Sequence, residues 1–276
     1  MSASKPFLQR LFTWLWRRPR FRRRFYHGLG LLYRRKLSWQ MMNCGFKSNG
    51  SAVPLTEEQE GERLSYELYA RLVSETPLAG RDVLELGAGR GGGARYLHSA
   101  HQPRRLVGLD YAASTTRWCR RHFAAPGLEF VCGDAGAPPF PAASFDVIVA
   151  VEVTHCLPDK PGFLGAAARL LRPGGRLLIA DFFYRRPDAM HALGKFEAAL
   201  AGSAFAVRAD DDWTAGAIAA IEHDSARRAA EIAGSVPFFF REAALGFTST
   251  THSSTYQALR DGRAVYRRYV LELRTN

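Results

Sequence analysis

The sequence predicts an α/β protein built on a doubly wound, mostly parallel sheet of seven strands. Short apolar strands alternate with amphipathic helices, a glycine-rich turn follows the first strand, and two strand-like segments close the chain. With 276 residues, 47% of them hydrophobic, the chain suits one large domain with an appended arm or cap. We expect an N-terminal arm over residues 1–56 and the α/β domain over residues 57–276.

Helices and strands alternate regularly from about residue 60 to residue 183. The first helix is predicted at EGERLSYELYARLVSE, where Leu64, Leu68 and Leu72 stand four residues apart. Strands are predicted at DVLELG, RRLVGLD, LEFVCGD, FDVIVAVEV and GRLLIADFF, and the helices between them at GGGARYLHSA, AASTTRWCRRHFA and PGFLGAAARLL. This alternation favours parallel strands whose carboxyl ends share one edge of the sheet, where ligands of such folds bind.

The segment after the fifth strand, residues 186–235, interrupts this alternation. Sixteen of its fifty residues are alanine, a composition that favours helices over strands. We therefore expect a helical insertion that covers the substrate as a lid. Beyond it, FFFREAALGF is predicted as a helix, and TSTTHSST and AVYRRYVLEL are predicted as the two closing strands.

The excess positive charge of the chain lies entirely in the arm. The net charge is +12, and residues 1–56 contain twelve Lys or Arg and no Asp or Glu. Apolar residues recur at helical spacing from Phe7 to Leu15, and a second apolar stripe after Pro19 runs among arginines. This pattern is typical of a helix lying in the headgroup region of an anionic membrane. We expect the arm to bind such a surface; packing over its own catalytic domain is the alternative.

Composition also argues against several other classes of protein. The apolar stretch FLQRLFTWLW is shorter than the about 20 residues of a membrane-spanning helix, and no signal-peptide cleavage site follows it. The four cysteines lack metal-ligand spacing, so we expect reduced thiols and no metal site. We expect a cytoplasmic location, with the arm as the point of attachment if the protein binds the inner membrane face. The sequence does not indicate the oligomeric state.

The glycine-rich turn VLELGAGRGGG joins the first strand to the helix that follows it. Gly87, Gly89 and Gly92 satisfy the pattern GxGxxG, which by itself fits two nucleotide ligands. In a dinucleotide enzyme the glycines admit a pyrophosphate to the helix N-terminus. In an S-adenosylmethionine (SAM) enzyme they make room for the amino-acid end and the ribose. Asp110 ends the second strand, where its carboxylate can accept hydrogen bonds from ribose hydroxyls in either case.

The segments around the third, fourth and fifth strands separate these two interpretations. FVCGDAGAPPF, PPFPAASFDVIV and LLRPGGRLLIADF follow one another in that order, and two extra strands close the chain. From residue 83 to about residue 183 this series resembles the class I SAM-dependent methyltransferases, which have a Rossmann-like fold. The resemblance implies SAM as the cofactor.

The same resemblance assigns positions in the cofactor site. It implies that the turn lines the methionine end of SAM, that Asp110 holds the ribose, and that Asp134 with Ala135 contacts the adenine. The cofactor-binding positions implied in this way are Glu85, Gly87, Ala88, Gly89, Asp110, Tyr111, Gly133, Asp134, Ala135, Val151 and Glu152.

A narrower resemblance lies within this class. GGGARYL, VGLDYA, PGLEFVCGDA and SFDVIVAVEVTHCLPD look like the phthiotriolone/phenolphthiotriolone dimycocerosate methyltransferases and related O-methyltransferases of polyketides, fatty acids and sugar-bearing natural products. In the arm, LSWQMMNCGF stands in for the family's Asn-aromatic-Gly-aromatic segment, with Cys44 in place of an aromatic residue. The resemblance implies a hydrophobic small-molecule acceptor. The chain lacks the Asn/Asp-Pro-Pro-aromatic and Pro-Cys motifs of nucleic-acid methylases, so no nucleic-acid substrate is expected.

The fourth strand ends in AVEVTHC, a group of polar residues at the edge where the ligand is expected. An aliphatic hydroxyl is a poor nucleophile until a base removes its proton, and His155 is the one imidazole that the motif places there. Asp181 ends the fifth strand beside it. Related natural-product sugar O-methyltransferases have such a His and Asp as a catalytic pair, which implies His155 as base and Asp181 as its partner. A purely structural His155 that bonds backbone, and one that only orients substrate, are the alternatives.

Several other functions remain open at this point. On the same fold the chain could methylate carbon or nitrogen of a small molecule, or retain SAM as a non-methylating cyclase or scaffold. An RNA-binding protein that uses its basic arm is a further alternative. Aromatic residues gather around and after the insertion, and we expect most of them in the core and some in an apolar acceptor pocket. They are Phe182, Phe183, Trp213, Phe238, Phe239 and Phe240.

Overall fold

The computed structural model describes residues 40–48, 53–236 and 238–275. Most of the predicted arm, including the apolar and arginine-rich stretches, lies outside the described residues. The prediction that this arm binds a membrane therefore stays a prediction. Within the described ranges, none of the helices combines the length and the apolar character that crossing a membrane requires.

The described elements alternate along the chain as helices and strands. The helices are α1 Glu57–Glu60, α2 Arg63–Val73, α3 Gly92–His101, α4 Ala113–Phe123, α5 Lys160–Leu170, α6 Leu193–Ala201, α7 Thr214–Ser235, α8 Phe238–Phe247 and α9 Ser254–Arg260. The strands are β1 Asp82–Leu86, β2 Arg105–Asp110, β3 Leu128–Cys132, β4 Phe145–Val151, β5 Leu171–Tyr184, β6 Phe205–Asp212 and β7 Ala264–Leu273. A 3-10 turn, Thr154–Cys156, follows β4.

The sheet has seven strands in the order β3-β2-β1-β4-β5-β7-β6. The first five strands are parallel, and β7 runs antiparallel to both β5 and β6. The predicted seven-stranded, mostly parallel sheet is thus confirmed. The strand order reverses between β1 and β4, so the cleft beyond their carboxyl ends is where a ligand of this fold is expected.

Alternating residues of the strands pack on opposite sides of the sheet, as a doubly wound fold requires. On one side Val83 and Val149 join a core that includes residues of α2, α3 and α7. On the other side Leu84 and Ile148 join a core that includes residues of α5 and α6. Burial of both faces explains why these strands read as continuous apolar runs in the sequence.

Two predicted elements near the end of the chain are wrong. The sixth strand is not TSTTHSST but FAVRADDD, which lies inside the segment expected to be helical. That insertion consists of α6, β6 and α7. In TSTTHSST the hydroxyls bond nearby backbone instead of leaving it to a sheet: Thr248 and Thr250 donate to carbonyls of α8 at 2.9 and 2.8 Å, and Ser253 caps α9.

Candidate cofactor and acceptor site

The turn between β1 and α3 requires glycine at several positions. Gly87, Gly89 and Gly91 have φ angles of 71, 51 and 78°, in the left-handed region that favours glycine. A Cβ atom on Gly87 would also lie 2.5 Å from Cγ2 of Val153, which follows β4. The turn therefore brings β1 and the segment after β4 into close contact at the carboxyl edge of the sheet. Ala88, between the glycines, is buried and donates its N–H to Leu109 O at 2.9 Å.

Asp110 at the end of β2 organises this turn. Its carboxylate accepts the N–H of Gly89 at 2.9 Å and that of Ala112 at 2.8 Å. Desolvation raises the pKa of the Asp110 carboxyl to about 6, although both backbone hydrogen bonds act in the opposite direction. Tyr111 follows it, half-buried. The structure thus brings Asp110 and the glycines together, as the sequence predicts for a ribose-binding carboxylate next to a glycine turn.

The segment after β3 lies beside Asp110. Gly133 donates its N–H to Asp110 O at 3.0 Å, which holds the two strand ends together. Asp134 is exposed and its Oδ1 accepts the N–H of Gly136 at 2.8 Å, while Ala135 is buried. The positions predicted to contact adenine therefore form a turn at the same edge of the sheet as the predicted ribose carboxylate.

Glu85, in β1 just before the glycine turn, is buried. It is 1% exposed, and its Oε1 accepts the hydroxyl hydrogen of Tyr69 at 2.5 Å. Its other carboxyl oxygen has no hydrogen-bond partner among the described residues. Burial raises the pKa of Glu85 to about 7. The carboxyl lies next to α3, since a Cβ on Gly93 would stand 2.4 Å from its Oε1.

Residues 40–48, a described part of the arm, cover this edge of the sheet. Gly92 donates its N–H to Gln40 O at 3.3 Å, and an ideal Cβ on Gly89 would lie 3.3 Å from Sδ of Met42. Glu62 accepts the N–H groups of Gln40 and Met41 at 3.2 and 3.1 Å. The sequence pattern of the arm suggested a cover over the cofactor but gave no signal for Glu62 as its anchor.

Glu152 anchors the same segment from the end of β4. Its Oε1 accepts the N–H of Cys44 at 2.8 Å and the hydroxyl hydrogen of Tyr266 at 3.0 Å. It adopts a φ of 47°, unusual for a residue with a side chain, and burial raises its pKa. Val151, the last residue of β4, is buried. Glu152 therefore connects the arm to the sheet beside the predicted ligand edge.

His155, in the turn after β4, forms a hydrogen-bonded pair with Asp181, which lies inside β5 rather than at its end. Nδ1 of His155 lies 3.0 Å from Oδ1 of Asp181. The Asp181 carboxylate is fully buried and also accepts the backbone N–H groups of His155 and Phe182 at 3.0 and 2.9 Å, and the hydroxyl hydrogen of Thr154 at 2.7 Å. Its orientation is therefore fixed, and the imidazole is fixed with it. No pattern in the sequence indicated the role of Thr154.

The charges of this pair stabilise one another. Burial disfavours both ionised forms, but the attraction of Cys156 and Asp181 raises the pKa of His155 well above 6.5. For Asp181 the opposing burial is outweighed by His155, His191 and the Thr154 hydroxyl, which hold its pKa below the usual range. The carboxylate is thus ionised at neutral pH and favours the imidazolium form of its partner.

Aromatic rings surround the pair. The imidazole of His155 lies 4.7 Å from the ring of Phe182 and 6.1 Å from that of His191, centroid to centroid, and its side chain is 23% exposed. His191 stacks on the buried ring of Phe183 at 4.3 Å. Among the predicted aromatic residues, Trp213 is also buried, whereas Phe238 is 76% exposed.

The residues at this edge fit SAM. The glycine turn offers backbone space that any side chain would fill, and Asp110 offers an anionic acceptor at the end of β2. Glu85 has a buried carboxyl oxygen without a described partner. Carboxylates of this kind suit a cofactor that carries a sulfonium cation and an ammonium group. Among the described residues no group of three or more His, Cys, Asp or Glu is arranged to hold a metal ion.

Comparisons with known proteins agree with this site. Residues 84–179 match the family model of the methyltransferase domain. The phthiotriol/phenolphthiotriol dimycocerosates methyltransferase of Mycobacterium leprae is 34% identical over 218 residues, 79% of each chain. A fatty-acid O-methyltransferase of Mycolicibacterium smegmatis is 40% identical over 141 residues, 51% of this chain and 52% of that one.

A solved structure shares the fold. The crystal structure of a putative sarcosine dimethylglycine methyltransferase from Galdieria sulphuraria superimposes with a TM-score of 0.70 at 16% identity, covering 91% of this chain and 98% of that one. The fold, the glycine turn with Asp110, and the sequence matches converge. The chain therefore belongs to the class I SAM-dependent methyltransferases, in the family that contains the phthiotriol/phenolphthiotriol dimycocerosates methyltransferases.

Proposed function

We propose that the enzyme methylates a hydroxyl group of a lipidic or polyketide small molecule, with His155 as the general base. SAM supplies an electrophilic methyl group bound to a sulfonium sulfur. The residues of this chain must then hold the acceptor in line and remove its proton. Relatives named for dimycocerosates and for fatty-acid O-methylation support a hydrophobic acceptor.

The observation that carries this proposal is the hydrogen bond between His155 Nδ1 and Asp181 Oδ1 at 3.0 Å. A base must present a free nitrogen to the acceptor while a second group fixes its ring. With Nδ1 bound to the carboxylate, we assign proton removal from the acceptor to Nε2. The partial exposure of His155 and the complete burial of Asp181 fit this division of roles.

Asp181 acts on the imidazole in two ways. Its hydrogen bonds to His155, Thr154 and Phe182 hold the ring in one orientation. Its negative charge stabilises the imidazolium that forms when the acceptor proton arrives at Nε2. A raised pKa makes His155 a stronger base, and the reaction begins from its neutral form.

An apolar acceptor suits the surroundings of the base. Phe182 lies against His155, and Tyr184 lies 5.9 Å from Phe182, centroid to centroid. The insertion with α6, β6 and α7 follows directly, so we assign it to the cover of the acceptor site. The basic arm would bring the enzyme to an anionic membrane surface, where lipidic acceptors are found.

A hydroxyl acceptor explains the pair His155–Asp181 better than a carboxylate acceptor does. A fatty-acid carboxylate is ionised at neutral pH and needs no base, whereas an aliphatic hydroxyl does. Methylation of carbon or nitrogen on the same fold would make weaker demands on a fixed imidazole.

The test uses the purified enzyme, SAM with an isotopically labelled methyl group, and a panel of long-chain alcohols, fatty acids, phenols and amines. We expect labelled methyl ethers and a roughly 10²–10⁴-fold lower turnover in His155→Ala, with SAM still bound. Near-normal turnover in a folded His155→Ala variant would show that His155 is not the general base. Labelled esters would identify a carboxylate acceptor instead of a hydroxyl, and labelled methylamines would identify an amine. An unlabelled isomer of the acceptor would indicate cyclisation.

A further inference from the structure

Lys160 occupies a position that two local rules disfavour. It is the first residue of α5, and its side chain is only 3% exposed. A buried ammonium is costly unless it is hydrogen-bonded, and a cation at a helix N-terminus opposes the helix dipole. Such violations of local preference concentrate at functional sites. The partners of Lys160 indicate which site this is.

The ammonium group of Lys160 binds the turn that carries His155. Nζ donates a hydrogen bond to Thr154 O at 2.8 Å and another to Leu157 O. Thr154 is the first residue of the 3-10 turn, and Leu157 directly follows its end. One side chain therefore ties together both ends of the turn.

The opposite side of the same turn is held by Asp181. The carboxylate accepts the Thr154 hydroxyl and the backbone N–H of His155. Within the turn itself, the N–H groups of Cys156 and Leu157 bond to Val153 O and Thr154 O at 3.0 Å each. A turn of three residues has few backbone bonds of its own, so Lys160 and Asp181 together determine where the imidazole lies.

We propose that Lys160 is a positioning residue, which fixes the turn Thr154–Cys156 so that His155 reaches the acceptor while it stays bonded to Asp181. This inference rests on the proposed function, because it takes His155 to be the base. Lys160 acts through the backbone of Thr154 and Leu157 and takes no part in proton transfer. A displacement of about 1 Å at a catalytic group can lower a rate by about 10²-fold.

The test compares variants of the full-length enzyme. Lys160→Met removes the ammonium and keeps the length of the side chain, and Lys160→Arg restores a charged donor. Lys195→Met is the matched control, since exposed Lys195 also donates to a backbone carbonyl, that of Ala189 at 3.0 Å. We expect Lys160→Met to lower kcat roughly 10–100-fold while the affinity for SAM changes less than about twofold. Lys160→Arg should recover part of the loss, and Lys195→Met should resemble the wild type.

A double-mutant cycle with His155→Ala separates positioning from a merely structural effect. If Lys160 acts through His155, then Lys160→Met causes no further loss of kcat in the His155→Ala background. The same fold-loss in both backgrounds would overturn the proposal, as would an unchanged kcat in folded Lys160→Met. If the Met variant does not fold, Lys160→Gln carries the same test with the same expectation. Failure of the proposed base is seen separately, as near-normal turnover in His155→Ala alone.

Discussion

His155 and Asp181 are joined by a hydrogen bond of 3.0 Å, although they lie 26 residues apart, one in the turn after β4 and the other within β5. The carboxylate is fully buried and the imidazole is partly exposed. Parallel pairing of β4 and β5 places Val151, the last residue of β4, opposite Ala180, which directly precedes Asp181. The pair is thus a direct product of the sheet topology, and its electrostatics can be tested.

The first prediction concerns the pH dependence of turnover. Proton removal requires neutral His155, whose pKa is raised by Cys156 and Asp181 against the effect of burial. We therefore expect kcat/KM to rise with pH through a value above 6.5. Asp181→Asn removes the negative charge, so the rise should move to lower pH while the plateau falls by roughly 10²–10⁴-fold. A pH–rate profile that is identical in wild type and variant would contradict the coupling of the two residues.

The second prediction concerns Asp110 and SAM affinity. Asp110→Ala should weaken SAM binding at least about tenfold, because hydrogen bonds to a charged acceptor contribute about 1.5–3 kcal/mol. Since the pKa of Asp110 is raised to about 6, the wild-type affinity should fall as the pH decreases through that value and the carboxylate takes up a proton. Calorimetry checks both effects, with Glu129→Ala, an exposed carboxylate on β3, as the control. An unchanged affinity for SAM in folded Asp110→Ala would show that Asp110 does not contact the cofactor.

How far the sequence predicts the structure depends on where each element finds its partners. Strands β1 to β5 are rich in apolar residues and were predicted. β6 contains three aspartates, which are rare in strands, and it is held by ion pairs with β7 such as Arg268–Asp211 at 2.7 Å. Those partners lie 57 residues away, beyond the reach of any local pattern.

The same distinction applies to the site. Strand ends and glycine spacing indicated His155, Asp181 and Asp110. The roles of Lys160 and Glu62 depend on backbone atoms of other segments, for which the sequence carries no signal.

The third prediction concerns two helical glycines. A Cβ on Gly93 in α3 would lie 2.2 Å from Cζ of Tyr69 and 2.4 Å from Oε1 of Glu85, whereas one on Gly165 in α5 would meet nothing within 4 Å. Gly93→Ala should lower the free energy of unfolding by about 1–3 kcal/mol through overpacking. Gly165→Ala should raise it by about 0.5–1 kcal/mol, because alanine favours the helix. Urea unfolding measures both changes. An equal change in the free energy of unfolding in the two variants would mean that the surroundings of Gly93 accommodate a Cβ atom.

The fourth prediction concerns the acid sensitivity of folding. His191 is 3% exposed, its ring nitrogens have no described partner, and burial lowers its pKa to about 3. Between pH 6.5 and about 3 the unfolded chain binds a proton here that the folded protein does not. Stability should therefore fall with decreasing pH, by at most about 1.4 kcal/mol per pH unit from this group.

His191→Phe should remove this contribution and make the stability profile flatter below pH 6.5. At neutral pH the variant should be no less stable, because phenylalanine can keep the stacking on Phe183 and leaves no unpaired nitrogen. Urea unfolding at several pH values measures the profile, with exposed His223→Phe as the control. A profile as steep as that of the wild type would show that His191 is not the group responsible.

The fifth prediction concerns the basic arm. Residues 1–56 carry twelve Lys or Arg and no acid, and each basic residue near an anionic surface contributes about 1 kcal/mol. The full-length protein should therefore sediment with anionic vesicles at low salt and remain in the supernatant with neutral ones. Replacing Arg22, Arg23 and Arg24 by Gln should lower the affinity for anionic vesicles by about two orders of magnitude.

The matched control for the arm is a triple replacement of the same charge on the body of the enzyme. Arg185, Arg186 and Arg263 are exposed on the described domain and can be changed to Gln together. If the arm is the membrane contact, this control should bind anionic vesicles as the wild type does, because its charges lie outside the arm. An equal loss of vesicle affinity in both triple variants would show that net charge, and not the arm itself, determines binding. Wild-type protein that stays in the supernatant with anionic vesicles at low salt would exclude membrane binding, leaving the arm as a cover over residues such as Gly89 and Glu152.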